Sequence, residues 1–252
     1  MELKIYLDSN IIVQLENKQL SKEDIFNVIP NKIDSKVLIY YSYAHLVELN
    51  ESFHTDEDVK KMWINKRLDC LKSISEGWFL DITSELNEMN LSEVHPRAAF
   101  NKMGTDKVVN KRIKYYVNGI SHETRNIILK LSGINKGEFN NFDSEKVMDK
   151  IDEELRKTGL NSIEELVGNY YNLSHPFELS DVITKIFELL DLFGYCSDKQ
   201  TEKSNFARTL DSNHCFYGAY SDFFITNDRR TRMKSNQVYK YCGLKTQAIS
   251  MN

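Results

Sequence analysis

The chain has 252 residues, of which 41% are hydrophobic and 28% charged, and its formal net charge is −4. This composition fits a globular protein with one large domain, and the acidic balance argues against a protein that coats nucleic acid through general positive charge. No apolar run reaches the about 18 residues of a membrane span, so we expect no membrane segment and a cytoplasmic location. The four cysteines are widely spaced, which predicts free thiols instead of a zinc site or a disulfide scaffold.

The N-terminal part of the sequence alternates short apolar strands with helices. Strands are predicted over residues 3–7, 37–41 and 78–80. A helical apolar pattern follows the first strand, and a second helix is predicted over 43–50. Near-continuous apolar strands that alternate with helices are typical of a parallel sheet covered on both faces.

The middle of the sequence, residues 86–199, is predicted to contain helices and no strand. Ser180 is a candidate N-cap for the most apolar helix, and Gly194 is a candidate stop for it. The helices are predicted over 108–117, 123–131, 145–155, 162–171 and 181–193. We therefore expect a large α-helical insertion within one domain.

The strand–helix alternation returns at the C-terminal end. A helix is predicted over 206–220, a strand over 223–226, a helix over 230–242 and a last strand over 245–249. The predicted fold class is therefore α/β, with a parallel sheet of about five strands flanked by helices. This core is drawn from residues 1–85 and 200–252.

Four acidic residues fall at or near the carboxyl ends of these strands. Asp8 ends the first strand, and Glu48 lies in the helix after the second. Asp211 lies in the helix before the strand at 223–226, and Asp228 lies just beyond that strand. Ligand sites of open parallel sheets gather at this edge. Clustered carboxylates repel one another unless a cation neutralises them, and Mg²⁺ and Mn²⁺ prefer oxygen ligands. The pattern predicts a hydrolytic metal site that acts on phosphodiesters.

Each of these acids also has an ordinary structural interpretation. Asp8 could be only a helix N-cap, while Glu48 and Asp211 could be solvated helix residues. Asn227-Asp228 is a common turn pair. The combination of the four acids, in this order along the chain, favours a site more than any one of them does alone.

Three segments of the sequence resemble PIN domains. Residues 5–10 (IYLDSN) resemble the opening strand with the first acid, and residues 41–49 (YSYAHLVEL) resemble the second-acid helix. Residues 211–228 resemble the helix acid, the following strand and the Thr-x-Asp element. The resemblance covers roughly residues 1–85 and 200–250 and leaves the helical middle without a counterpart.

The resemblance implies a Rossmann-like sheet and Mg²⁺- or Mn²⁺-dependent endoribonuclease activity. It implies that the metal ligands or water positioners are Asp8, Glu48, Asp211 and Asp228. Ser9, Asn10 and Thr226 could support the site through hydrogen bonds. Asp222, at the opposite end of its strand, is expected to be structural.

Two groups of basic residues could bind the RNA backbone. One follows Asp228 and the other lies in the insertion, and either could instead be a solvated helix surface. The two groups are Arg229, Arg230, Arg232 and Lys234, and Lys111, Arg112 and Lys114. Positive charge at a helix N-terminus is unfavourable, which favours a ligand-related role for the first group.

Two histidines share helix faces with the acids, His45 with Glu48 and His214 with Asp211. We expect both to be ordinary hydrogen-bonded histidines, although either could orient a carboxylate or contact phosphate. The leading hypothesis is a metal-dependent endoribonuclease with RNA as substrate. The alternatives are a catalytically inactive PIN-like scaffold that binds RNA or protein, and a structure-specific DNA nuclease. The resemblance also admits an inhibitor or antitoxin, or a homo-oligomer, as partners.

Overall fold

The computed structural model of the chain describes residues 2–30, 36–50, 56–82, 88–103, 130, 138–142, 144–157, 159, 162–167, 173, 175–197 and 202–251. The helix predicted over 108–117, with Lys111, Arg112 and Lys114, lies outside these ranges, as does nearly all of the helix predicted over 123–131. Within these ranges, no helix is long and apolar enough to cross a membrane.

A six-stranded sheet forms the centre of the fold, in the order β4-β3-β2-β1-β5-β6. The strands are β1 (Glu2–Leu7), β2 (Lys36–Ser42), β3 (Trp78–Ile82), β4 (Met89–Glu93), β5 (Phe223–Ile225) and β6 (Gln247–Ile249). All neighbouring strands are parallel except β4, which pairs with β3 in the antiparallel direction. The class predicted from the sequence, an α/β fold with a mostly parallel sheet, is therefore confirmed.

Strand β4 corrects the expectation that residues 86–199 contain no strand. Its sequence, Met-Asn-Leu-Ser-Glu, is at most half-buried and alternates apolar with polar residues. An edge strand needs only one covered face, so it lacks the continuous apolar run that marks the central strands. The other five strands match the five predicted segments.

Helices cover both faces of the sheet. They are α1 (Ser9–Glu16), α2 (Lys22–Asn27), α3 (Tyr43–Asn50), α4 (Glu57–Ser75), α5 (Pro96–Met103), α6 (Val147–Lys157), α7 (Ile163–Val167), α8 (Pro176–Leu192), α9 (Glu202–Gly218) and α10 (Arg229–Tyr241). Short 3₁₀ helices lie at Glu138–Asn141 and Ser144–Lys146.

The start of α8 differs from the prediction. The helix begins at Pro176, with His175 in the N-cap position, so Ser180 is an interior residue and not the cap. Proline at the first helical position has its φ angle already set for the helix and has no backbone N–H to leave unpaired. The predicted stop is confirmed, because Gly194 follows the helix with a φ of 82°.

Side chains that alternate along β1 separate two hydrophobic cores. Tyr6 points into one core, which is built mainly with α6 to α10. Ile5 and Leu7 point into the other core, which is built mainly with α1 to α5. This is the two-residue period of a strand that is buried on both faces. Helices α6 to α8, from the predicted insertion, therefore pack as part of the domain that carries the sheet.

Candidate active site

Asp8 lies where β1 ends, next to the end of the adjacent parallel strand β5. It occupies the N-cap position of α1, but its side chain makes no capping hydrogen bond. Instead, Oδ2 accepts hydrogen bonds from Thr226 Oγ1 at 2.5 Å and from Asn10 Nδ2 at 2.6 Å. Asp8 is only 5% exposed. The capping interpretation of the Asp8 side chain is therefore wrong, and the carboxylate is held at the edge of the sheet.

Asn10 and Thr226 join the two strand ends around Asp8. Asn10 Nδ2 also donates to Thr226 Oγ1 at 3.0 Å, and Asn10 Oδ1 accepts from the backbone N–H of Asn227 at 3.2 Å. Thr226 Oγ1 accepts from the backbone N–H of Asp228 at 3.1 Å. The supporting hydrogen bonds expected from Asn10 and Thr226 are thus present, and they fix the loop after β5.

A second set of hydrogen bonds links β1 to α3 and α9 through His214. The hydroxyl of Tyr6 lies 2.7 Å from Ser42 Oγ and 2.9 Å from His214 Nδ1. His214 Nε2 lies 3.3 Å from Ser9 Oγ and 3.4 Å from Glu48 Oε2. His214 therefore contacts one of the predicted acids. Sequence reasoning missed Tyr6, although a tyrosine inside a buried strand needs a partner for its hydroxyl.

The two histidines have different roles. His45 Nε2 lies 2.8 Å from the carbonyl oxygen of Leu7, and its Nδ1 accepts a hydrogen bond from the backbone N–H of Ser42. Burial, together with the charge of His214, lowers the pKa of His45 to about 3, so this ring is neutral. The structural role predicted for His45 is confirmed.

The pKa of His214 shifts in the opposite direction to that of His45. Burial lowers the pKa of His214, but the hydrogen bond and charge of Glu48, together with the charges of Asp8 and Asp211, outweigh burial and raise it. Burial raises the pKa of Glu48, but His214, with smaller contributions from Ser9 and His45, outweighs burial and lowers it. His214 therefore orients a carboxylate, which is the alternative that the sequence had left open.

Asp211 lies on α9, one turn before His214. Burial raises its pKa to about 8, and the negative charges of Asp8 and Asp228 contribute. The pKa of Asp8 is also raised, first by burial, with a contribution from Glu48. Each of the four predicted acids thus acts electrostatically on at least one of the others, as expected of carboxylates gathered at one edge of a sheet.

Asp228 has a structural task in addition to its place near Asp211. It is exposed, and its Oδ1 accepts hydrogen bonds from the backbone N–H groups of Arg230 at 2.7 Å and Thr231 at 2.9 Å. Asp228 is thus the N-cap of α10. Asp222, at the other end of β5, accepts a hydrogen bond from the backbone N–H of Lys4, which confirms its structural role.

The basic group after Asp228 divides into exposed and buried members. Arg229 and Arg230 are exposed and Arg232 is half-buried. Lys234 is only 1% exposed, and its Nζ lies 3.4 Å from Asp191 Oδ1. Lys234 is therefore not on the surface that could bind RNA, and its prediction as an RNA-binding residue is wrong. It lies on the buried face of α10, which also carries Thr231, Ser235 and Val238.

A buried ionic network extends from Lys234 to α8 and α9. Asp191 on α8 is 1% exposed and accepts a hydrogen bond from Arg208 Nη1 at 2.9 Å. Arg208 Nε donates to Glu188 at 2.7 Å. Sequence reasoning did not single out Asp191, although an acid inside the apolar run Leu189 to Phe193 is a signal for a buried charged partner.

The donor chemistry of the site fits Mg²⁺ or Mn²⁺. Asp8, Glu48 and Asp211 offer oxygen ligands, and the mutual repulsion of Asp8 with the other two would be relieved by a divalent cation. In the part of the chain that the structure describes, however, no three His, Cys, Asp or Glu side chains are arranged to hold one ion. Binding through three of these groups would therefore require side-chain movement.

Comparisons with protein-family models, with curated proteins and with solved structures found no significant match for this chain. Its function must therefore be inferred from the residues of the site.

Proposed function

We propose that the protein is a Mg²⁺- or Mn²⁺-dependent endoribonuclease with a PIN-like fold. The observation that carries this proposal is the placement of Asp8. Asp8 occupies the N-cap position of α1 without a side-chain capping bond, and its carboxylate is held instead by the side chains of Thr226, after β5, and Asn10. A carboxylate with only a capping role would bond to the helix N-terminus instead.

The strand order supports a Rossmann-like arrangement as part of this proposal. The parallel strands run in the order β3-β2-β1-β5-β6. The two neighbours of β1 in the sheet, β2 and β5, therefore come from opposite parts of the sequence. In doubly wound sheets, ligands bind at the carboxyl edge where the strand order reverses. Asp8 and Thr226 follow the two strands at this point, β1 and β5.

The residues of the site have distinct roles in the proposed reaction. Asp8, Glu48 and Asp211 would hold the cation, with Asp228 beside Asp211. A bound divalent cation would supply a water of lowered pKa and positive charge beside the phosphate. His214 and Ser9 would fix the orientation of Glu48, and Asn10 and Thr226 that of Asp8.

The exposed arginines Arg229 and Arg230 are proposed to hold the RNA backbone beside the acids. They begin α10 immediately after Asp228, which interacts with Asp211. Arginine side chains at the rim of a site position phosphate groups without reading the base sequence. Because the chain as a whole has a net charge of −4, phosphate contacts would depend on a local group of basic residues such as this one.

A second candidate function is a non-catalytic PIN-like scaffold that binds RNA or protein. The observation that favours it is the lack, among the described residues, of three side chains arranged for one ion. Asp211, however, is buried, and burial together with the neighbouring carboxylates raises its pKa to about 8. A non-catalytic scaffold has no use for such an arrangement. Groups with such displaced pKa values are concentrated at functional sites.

The test is cleavage of a panel of structured and single-stranded RNA and DNA with Mn²⁺, Mg²⁺ or EDTA. Native protein is compared with Asp8→Asn and with Asp222→Asn, whose carboxylate lies at the opposite end of β5. Metal-dependent RNA cleavage that is lost in Asp8→Asn and kept in Asp222→Asn would support the proposal. Cleavage of DNA alone would indicate a DNA nuclease, and RNA binding without any cleavage would indicate the scaffold.

A further inference from the structure

Tyr6 is a completely buried tyrosine on β1, two residues before Asp8. Its ring packs against the rings of Tyr40 and Phe224, with centroids 5.4 Å and 5.8 Å away. A phenylalanine ring would make the same packing contacts, so packing alone does not require a hydroxyl at this position. A buried hydroxyl needs hydrogen-bonding partners, and the partners of Tyr6 indicate what this hydroxyl does.

The hydroxyl of Tyr6 joins the end of β2 to α9. Its oxygen lies 2.7 Å from Ser42 Oγ and 2.9 Å from His214 Nδ1. Ser42 Oγ accepts a hydrogen bond from the backbone N–H of Ala44 at 3.2 Å, so its own proton is available for the oxygen of Tyr6. The proton of Tyr6 is then available for Nδ1 of His214. A hydroxyl also accepts from a protonated nitrogen, so this contact does not depend on the charge of the ring.

The imidazole of His214 connects this hydroxyl to Glu48. Nε2 lies on the other side of the ring from Nδ1, 3.4 Å from Glu48 Oε2 and 3.3 Å from Ser9 Oγ. His214 is 1% exposed, so its ring takes its hydrogen-bonding partners from the protein. Because both nitrogens belong to one rigid ring, the partner that holds Nδ1 also sets the direction of Nε2.

We propose that Tyr6 is a positioning residue of the site, whose hydroxyl holds His214 so that Nε2 faces Glu48. This inference rests on the proposed metal-dependent function, in which Glu48 is a ligand of the cation. The contacts return to the helix from which they start, because Ser42 is bonded to the first turn of α3 and Glu48 lies further along the same helix. Hydrogen bonds that orient the ligands from behind are a general feature of metal sites.

The test is Tyr6→Phe, which removes the hydroxyl and keeps the ring. In the metal-free full chain, ¹⁵N NMR of labelled histidines is expected to show changes at both ring nitrogens of His214. The Nδ1 resonance should change because this atom loses its partner, and the Nε2 resonance because the ring turns away from Glu48. Calorimetry with Mn²⁺ should show an affinity about three- to tenfold lower, since groups that orient a metal ligand directly contribute about 10- to 100-fold.

A double substitution tests whether Tyr6 acts through His214. When His214→Gln is already present, Tyr6→Phe is expected to cause no further loss of Mn²⁺ affinity. Two residues that act through one contact have effects that do not add, whereas independent effects would add.

The matched control is Tyr40→Phe. Tyr40 pairs with Tyr6 across β1 and β2 and is 2% exposed, and its hydroxyl donates to the backbone carbonyl of Tyr217 at 3.0 Å. This variant also loses one buried hydrogen bond, but it should leave the His214 resonances and the Mn²⁺ affinity unchanged.

An unchanged Nε2 resonance of His214 in a folded Tyr6→Phe variant would overturn the inference. So would a full further loss of Mn²⁺ affinity when His214→Gln is already present. If circular dichroism shows that Tyr6→Phe is unfolded, Ser42→Ala, which frees the hydroxyl of Tyr6, is judged by the same two resonances. A wild-type chain that binds no Mn²⁺ would overturn the proposed function, and the resonances would still decide whether Tyr6 holds His214 against Glu48.

Discussion

The hydroxyl of Thr226 donates a 2.5 Å hydrogen bond to Oδ2 of Asp8, and this bond joins residues that are 218 positions apart in the sequence. The same hydroxyl accepts hydrogen bonds from Asn10 and from the backbone of Asp228. The Thr226 side chain therefore adds to the backbone pairing of β1 with β5, and together with Asn10 it sets the position of the Asp8 carboxylate.

Replacing Thr226 with valine preserves the shape of the side chain and removes this hydroxyl. We expect metal-dependent cleavage to fall by about 10- to 100-fold, because groups that orient a metal ligand have effects of this size. The loss of a buried hydrogen bond should lower the free energy of unfolding by about 1–3 kcal/mol. The measurements are the cleavage rate at saturating Mn²⁺ and urea denaturation.

Thr246→Val is the matched control for that substitution. Thr246 is 7% exposed and donates to backbone carbonyl groups at Ala219 and Ser221, away from Asp8. Thr246→Val should therefore lose stability to a similar degree and keep its cleavage rate. Equal losses of cleavage in both variants would mean that Thr226 acts only through stability.

The stability of the metal-free protein should depend on pH through Asp211. Its pKa in the folded state is raised to about 8, so the folded state binds a proton that the unfolded state has already released. Stability is then greatest at low pH and is lost as the pH rises toward 8. The pKa of His45 is lowered to about 3, so this residue increases stability as the pH rises. That increase is complete above about pH 6.5, the ordinary pKa of histidine. The window for observing Asp211 is therefore above pH 6.5, where the raised pKa of His214 adds a decline in the same direction, so the Asp211 share is the difference from Asp211→Asn.

In EDTA, we expect the free energy of unfolding to fall by about 1–2 kcal/mol between pH 6.5 and 8.5. Asp211→Asn removes the titrating carboxyl and should reduce this decline, while Asp222→Asn should leave it unchanged. Chemical denaturation at several pH values measures the effect. A wild-type stability that rises over this range would show that Asp211 is ionised in the folded protein.

His214→Gln tests whether this histidine positions Glu48. The substitution removes the imidazole that lies between Tyr6 and Glu48, so we expect Mn²⁺ affinity to fall by about tenfold or more. His95→Gln is the control, because His95 is exposed and follows β4 at the opposite edge of the sheet. Equal Mn²⁺ affinity in the two variants, measured by calorimetry, would contradict a positioning role.

The double substitution Arg229→Gln and Arg230→Gln tests the proposed RNA contact. Because both residues are exposed, we expect little change in stability. RNA binding should be weaker, and its dependence on salt concentration should fall by the amount that corresponds to about one to two lost phosphate contacts. The control is Lys61→Gln with Lys240→Gln, which removes the same charge elsewhere. If the control weakens binding equally, the attraction comes from overall charge and not from the rim of the site.

The sequence predicted the central strands well because each is an apolar run buried on both faces. It could not decide between capping and site roles for Asp8, because the deciding partner, Thr226, is distant in the sequence. The prediction for Lys234 was wrong because a run of basic residues is usually an exposed surface. Lys234 has the helical spacing of the buried residues Thr231, Ser235 and Val238, and this spacing could have indicated its place on the buried face of α10.

The sheet order also has a consequence for how this protein is made. Asp8 and Glu48 are synthesised well before β5, which carries Thr226 to Asp8. A growing chain that has not yet reached α9 and β5 therefore lacks His214, which contacts Glu48, and Thr226, which bonds to Asp8. An enzyme built in this way would remain inert beside the messenger RNA from which it is being translated, and would become active only when its C-terminal strands have joined the sheet.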